Sequence, residues 1–190
     1  ARSKPQLPKA YLFVSFPFII WDFIATENGH WSFNPDYVLG PEIGNLPFEE
    51  VMFFFVVPLV MFTVWLQVQK LWKDKKVVFN PNIFRLLIPF FVWLGFVHID
   101  QGYTVTISFV MAVFLWFLPK FQIVLTRNFW IFQAALLVLF IICNTFLTAI
   151  PIVEYSDSAI TTFRIGTIPI EDFMYNFVLI NSFLLFVTES

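Results

Sequence analysis

The chain has 190 residues, 59% hydrophobic and only 13% charged, with 28 Phe, 7 Trp and a formal net charge of −2. An ordinary soluble domain carries about 25% charged residues, so that class is excluded. The single cysteine, Cys143, lies inside an apolar run, which excludes an intramolecular disulfide and a Cys-rich metal site.

In chain order the apolar runs cover 10–26, 49–68, 84–99, 103–119, 129–149 and 170–187. Each is near the ~17–25 residues that a membrane helix needs. The third and fourth are short and separated only by "DQG", which reads as a tight pair or a re-entrant piece. Barrel strands would alternate in hydrophobicity over about ten residues, and these runs do not. The reading is all-α: a polytopic bundle of about six transmembrane helices. No cleaved signal peptide is visible. The chain begins at Ala1 rather than Met, so a true N-terminus is expected upstream.

Basic residues collect on the cytoplasmic side of membrane proteins. Arg2, Lys4 and Lys9 precede the first run. Lys70, Lys73, Lys75, Lys76 and Arg85 lie between the second and third, and Lys120 and Arg127 between the fourth and fifth. With six spans these segments share one side and hold ten of the eleven Lys and Arg; Arg164 is the one base opposite. Both ends of the chain are therefore expected in the cytoplasm.

The second and sixth runs open alike, with "NLPFEEVMFFF" at 45–55 and "TIPIEDFMYNF" at 167–177. At a spacing of 122, Gly44, Pro47, Glu49, Glu50 and Phe53 fall on Gly166, Pro169, Glu171, Asp172 and Tyr175. Upstream, Phe18-Ile19-Ile20 falls on Phe140-Ile141-Ile142, and Asp22 on Asn144. Repeats set the architecture before any site is argued. Span 1 matches span 5 and span 2 matches span 6, so the halves are parallel and related by a pseudo-twofold along the membrane normal. This predicts a first repeat over 1–79, a connecting helix over 80–102 and a second repeat over 103–190. Both acidic pairs then lie at one depth, as one composite site or two equivalent ones.

Pro47 and Pro169 suit the first turn of a helix. The acids Glu49, Glu50, Glu171 and Asp172 follow beside free N–H groups and the positive dipole end. Helix capping is the plain alternative, but one acid per helix would serve for that, and Asp22 adds a carboxylate within span 1. Polar and ionisable residues inside a membrane are functional candidates by default. In a dry cavity, burial and a neighbouring like charge keep one carboxyl protonated near neutral pH. Such an acid can protonate an olefin if water is excluded and the cation is shielded by aromatic faces. Trp21, Trp31, Phe33, Phe53, Phe54, Tyr155, Tyr175 and Phe177 are the candidates for that contact, with lipid contact and interfacial anchoring as their alternative. Arg164 can pair with a motif acid, or with Glu154 or Asp157. A proton-coupled transporter would also use intramembrane acids, with helices broken near the midplane.

No G-x-G-x-x-G or P-loop occurs, so no nucleotide or flavin cofactor is indicated. His30 and His98 stand in different loops and form neither a haem pair nor a metal cluster. No Lys lies within a span, which argues against a retinal Schiff base. No nucleic-acid partner is expected, because the basic residues form no aromatic-interleaved patch.

With "WDFIATENGHWSFNP" (Asp22, Gly29, Trp31, Phe33, Asn34, Pro35), "LPFEE" and "FRIGTIPIEDFMYNF", the sequence resembles the flavin-independent lycopene cyclase family. The resemblance covers nearly the whole chain. It implies a lipid-embedded enzyme that cyclises the linear ends of lycopene to β-rings without net redox change and without a cofactor. It implies Glu49, Glu50, Glu171 and Asp172 as acids, with Asp22 assisting. Trp21, Trp31, Phe33, Asn34, Phe53, Asn144, Tyr155, Arg164 and Tyr175 would then contact the carotenoid. In the family each half is a three-span domain, so a helix preceding residue 1 is implied, or a homo- or hetero-oligomer. The family is found in prokaryotic cell membranes and in fungal fusions. A related hydratase, or a cyclase of longer carotenoids, would share the cation chemistry.

Overall fold

A computed structural model describes residues 6–189; Arg2 and Lys4, part of the basic N-terminal flank, lie outside them. Helix α1 runs Leu7–Glu27 and is followed by the short strand β1 (Trp31–Phe33). A tight hairpin, β2 (Glu42–Ile43) and β3 (Leu46–Pro47), leads into α2 (Phe48–Leu71). Next come α3 (Pro81–Val97), α4 (Gly102–Lys120) and α5 (Arg127–Ala149). Strand β4 (Val153–Tyr155) and the hairpin β5 (Arg164–Ile165) and β6 (Ile168–Pro169) precede α6 (Ile170–Glu189).

Five of these helices are long and apolar enough to cross a membrane. The sixth, α3, is shorter because Pro81 and Pro89 impose a 3₁₀ segment over Pro81–Leu87 before the α turns begin. A 3₁₀ helix rises about 2.0 Å per residue and an α-helix about 1.5 Å. Seven residues of the first kind and ten of the second reach roughly 29 Å, close to the ~30 Å hydrocarbon core. The loops agree with six crossings. At one end of the bundle the 72–80 and 118–126 connections are tied together by an isolated Lys76–Thr126 bridge and by Val77 N–H donating to Leu125 O at 2.7 Å. At the other end β1 pairs antiparallel with β4. We call these the basic and the acidic end.

Helix α1 contains one wide π turn over Tyr11–Ser15. Pro17 has no N–H to offer Phe13, and the wider turn, in which Phe16 N–H reaches Tyr11 O, absorbs the lost rung. Helix α6 is central, with 61% of its span buried, whereas α5 lies at the edge with 11% buried. Between them run side-chain bridges. Gln133 and Asn181 exchange amide hydrogen bonds of 2.5 and 3.2 Å, and Phe140 meets Phe173 at 4.9 Å. The main core packs Phe54, Phe132 and Phe183 with Trp65, mostly toward the middle and basic end.

The spacing of 122 recurs in the backbone. The β2–β3 register (Glu42 with Pro47, Ile43 with Leu46) repeats as β5–β6 (Arg164 with Pro169, Ile165 with Ile168). Gly44 and Gly166 both turn their hairpins at φ +64°, a left-handed conformation that only glycine adopts without cost. Trp31 pairs with Tyr155 and Phe33 with Val153, about a centre at Ser32 and Glu154. Exchanging residues at the repeat spacing leaves this ladder unchanged, so a local twofold passes through it.

Candidate active site

Each acidic pair follows a hairpin that ends in proline, which fixes the entry of the chain into α2 and α6. Neighbouring residues on a helix point about 100° apart, so the two acids of a pair serve different surroundings. Glu49 accepts a short hydrogen bond from the Leu39 N–H. Glu171 accepts from the Thr161 N–H at 2.8 Å and from the Thr104 hydroxyl at 2.6 Å. Positions 39 and 161 are themselves 122 apart, so the first acid of each pair anchors the same point of its preceding loop.

The second acids, Glu50 and Asp172, turn inward and meet in one cavity of about 240 Å³, which Asp22 also lines. Around them stand Trp31, Phe33, Phe53, Tyr103, Asn144, Tyr155 and Tyr175. Further toward the basic end the wall is Val57, Val60, Met61, Leu136, Leu139 and Leu179, with no polar side chain among them. The two motifs thus converge on a single site.

The three cavity acids are hydrogen-bonded unequally. Asp172 takes three donors: the Tyr103 hydroxyl to Oδ1 at 2.9 Å, and Asn144 Nδ2 and the Tyr155 hydroxyl to Oδ2 at 2.7 and 2.8 Å. Asp22 takes one, from the Trp31 indole N–H at 2.8 Å, while its Oδ2 is buried without a partner. Glu50 faces the cavity with no hydrogen bond from any described residue. Burial and the neighbouring Asp172 push the Tyr155 phenol well above its ordinary value, so it remains a donor at any physiological pH. Tyr103 and Tyr155 stack with centroids 6.1 Å apart and 10° between planes, and Trp31 meets Tyr103 edge-on at 4.9 Å.

The other residues singled out by sequence stand outside this wall. Trp21 is half-buried behind it, packed on Tyr175 at 5.0 Å and on Phe18 at 5.6 Å. Asn34 caps a 3₁₀ turn by accepting from Asp36 N–H at 3.0 Å. Arg164 donates to Thr167 O at 3.1 Å and reaches Asp157 at 4.0 Å, so of its alternative partners it takes Asp157. Tyr103 and Thr104 were not foreseen. They open α4, whose positions at the repeat spacing fall before residue 1, so comparing the two halves of this sequence passes over them. Their one signal is a tyrosine in the first turn of a span on the acidic side. Among the described residues no group of three or more His, Cys, Asp and Glu is placed to hold a metal ion.

The arrangement brings a carboxyl that no described residue hydrogen-bonds, a carboxylate with three donors and several aromatic rings together in one largely apolar pocket. It can deliver a proton to a hydrocarbon and take one back. The sequence pattern of one family, described as lycopene cyclase, matches residues 5–68 and 100–188. Those segments contain every cavity acid and ring named above. No curated protein and no solved structure matches the chain. The match covers well over half of the sequence, and the chain belongs to the lycopene cyclase family.

Proposed function

We propose that the chain closes the linear ends of lycopene to β-rings, with Glu50 as proton donor and Asp172 as the facing base. One proton enters at the terminal double bond of the carotenoid. A nearby internal double bond attacks the resulting tertiary cation, and the ring forms. Loss of a ring proton restores an olefin, so atoms and electrons balance without an electron acceptor.

The observation that carries this assignment is the unequal hydrogen bonding. A carboxylate offers about four lone-pair sites, and three donors occupy those of Asp172. That suits a fixed acceptor. Glu50 lines the cavity and takes no hydrogen bond from any described residue, which suits an acid that must meet a substrate carbon. Asp22, held by the Trp31 indole, stands between these roles and orients the charge near the donor. The faces of Trp31, Tyr103 and Tyr155 line the path of the cation, and each desolvated cation–π contact is worth about 2 kcal/mol. Asn144 acts on Asp172 rather than on the substrate, and so does the hydroxyl of Tyr155. Glu49, Glu171 and Arg164 hold the two loops that roof the cavity, and Asn34 shapes the first of them.

Residues 50 to 61 of α2 advance along the membrane normal by roughly 16 Å at about 1.5 Å each. The polyene therefore runs from the acids toward the bilayer centre, along the purely apolar part of the wall. The two-repeat division, 1–79 and 103–190 about a connecting helix at 80–102, is supported by the duplicated hairpins and paired loop anchors. The excess of Lys and Arg at the basic end supports a cytoplasmic location for both ends of the chain; the membrane itself is read as a prokaryotic cell membrane from the family resemblance alone.

The test is expression in a lycopene-accumulating bacterium, with the pigments separated by chromatography. General acid catalysis contributes about 10²–10⁴-fold, so Glu50→Gln is expected to lower conversion by at least about a hundredfold. Glu49→Gln, which can still accept from Leu39 N–H, keeps most of it. Wild-type conversion by Glu50→Gln would remove Glu50 from the mechanism.

A further inference from the structure

Beside the acid cavity lies a larger one. It measures about 830 Å³ and runs between α5 and α6, with α3 across it. Six rings line it: Phe90, Phe91, Trp130, Phe163, Phe173 and Phe177. The two cavities share the side chains of Leu136, Phe140 and Asn176. Asn176 is four residues on from Asp172 along α6, and Phe140 and Leu136 are four and eight residues back from Asn144 along α5. At about 1.5 Å per residue, the shared wall begins one helical turn from the acids and ends roughly 12 Å from them, toward the basic end.

The acid cavity alone is too small for a carotenoid. Pockets that enclose a drug-sized ligand measure about 300–1,000 Å³. The acid cavity, at about 240 Å³, falls short of that range, and the second cavity lies within it. A linear carotenoid is a rod about as long as the hydrocarbon core is thick, ~30 Å. One end fits beside the acids, and the rest needs another place.

The repeat marks that place. Asn176 hydrogen-bonds with no described residue, although a buried amide in a membrane ordinarily bonds across to a neighbouring helix, as Gln133 and Asn181 do here. Turning Asn176 aside therefore breaks no hydrogen bond. At the spacing of 122 its counterpart is Phe54, 1% exposed in the main core. The counterpart of Gln133 is Tyr11, whose hydroxyl donates to Phe55 O at 3.0 Å. Between α1 and α2 these positions hold two rings. Between α5 and α6 they hold two amides and a cavity.

We infer that the carotenoid passes from the acid cavity across the wall of Leu136, Phe140 and Asn176 into the ring-lined cavity, which holds the unreacted part of its polyene. A flat conjugated chain meets ring faces and edges as another π-system does, and a saturated lipid chain does not, so the polyene is the occupant. The identity of the ligand rests on the cyclase reading; the path rests on the two cavities.

Asn176→Phe places in the shared wall the ring that the first repeat carries at the corresponding position. Leu94→Trp fills the second cavity from α3, and Leu94 is no part of the acid cavity. Glu50→Gln protein, purified in mild detergent from lycopene-accumulating cells, is the reference, expected to carry unconverted lycopene. Adding either substitution is expected to lower co-purified lycopene at least tenfold, with helical circular dichroism unchanged. Ile20→Trp, which adds bulk to the exposed face of α1, is expected to leave it at the reference level. A folded Leu94→Trp protein that carries as much lycopene as the reference overturns the path, and so does a reference that carries none. Loss of co-purified phospholipid in place of lycopene also overturns it and gives the cavity to a lipid chain. None of these outcomes touches conversion by the enzyme with Glu50 intact, which tests the cyclase reading separately. Lycopene that binds in the expected pattern, yet stays acyclic in that enzyme, overturns the cyclase reading and leaves the path standing.

Discussion

At the scale of single residues, the site is governed by which donors reach which carboxylate. Asp172 is fixed by side chains from three places: Tyr103 on α4, Asn144 on α5 and Tyr155 on β4. A hydrogen bond to a charged group contributes about 1.5–3 kcal/mol, and 1.36 kcal/mol is tenfold in rate. Tyr103→Phe and Tyr155→Phe, which keep the rings and lose one donor each, are therefore expected to slow turnover by roughly ten- to a hundredfold. The double variant loses more than either, as measured by initial rates of carotene formation. Unchanged rates in both single variants would mean that the orientation of Asp172 does not matter to the reaction. None of this was legible from the motif alone. Adjacent acids in a first helical turn differ by about 100° in direction, and nothing local says which of them the loop will take.

At the scale of elements, the two hairpins that launch α2 and α6 share a backbone but not an environment. Gly44 and Gly166 have the same φ of +64°, yet a Cβ on Gly44 would lie 2.7 Å from the Phe23 ring, whereas one on Gly166 meets nothing within 4 Å. A left-handed non-glycine residue costs about 1–2 kcal/mol. Gly166→Ala is expected to lose about that much stability and Gly44→Ala distinctly more, because Phe23 must move. Thermal unfolding in detergent measures both, and equal losses would show that the Phe23 contact yields freely. The turn itself was readable, since Gly and Pro at matched places in two copies mark it. The unequal cost was not, because Phe23 lies on another element.

At the scale of the whole molecule, α5 stands at the edge of the bundle, and its polar ties to the central helix are few. Gln133 and Asn181 form the deepest of them. Such interhelical amides in membranes are worth about 0.6–2 kcal/mol. Asn181→Leu strands the Gln133 amide and is expected to destabilise the protein by about 1–3 kcal/mol. Gln133→Leu with Asn181→Leu recovers part of the loss, in a double-mutant cycle read by unfolding in mixed micelles. Strict additivity of the two single changes would mean that the pair is not coupled.

By itself the sequence determined the helical membrane bundle, with its six apolar runs, the basic and acidic ends, and the acids at the starts of α2 and α6. These follow from signals carried within one segment: length and hydropathy, Gly and Pro at turns, and a spacing that repeats. It also carried the motifs by which the family is known. Tertiary structure alone decided that the two motifs share one cavity, that Glu50 and Asp172 face it while Glu49 and Glu171 hold the loops, and that Tyr103 completes the site. Each of these depends on contacts between residues far apart in the chain, where burial, ring packing and hydrogen-bond geometry are set by which helices become neighbours.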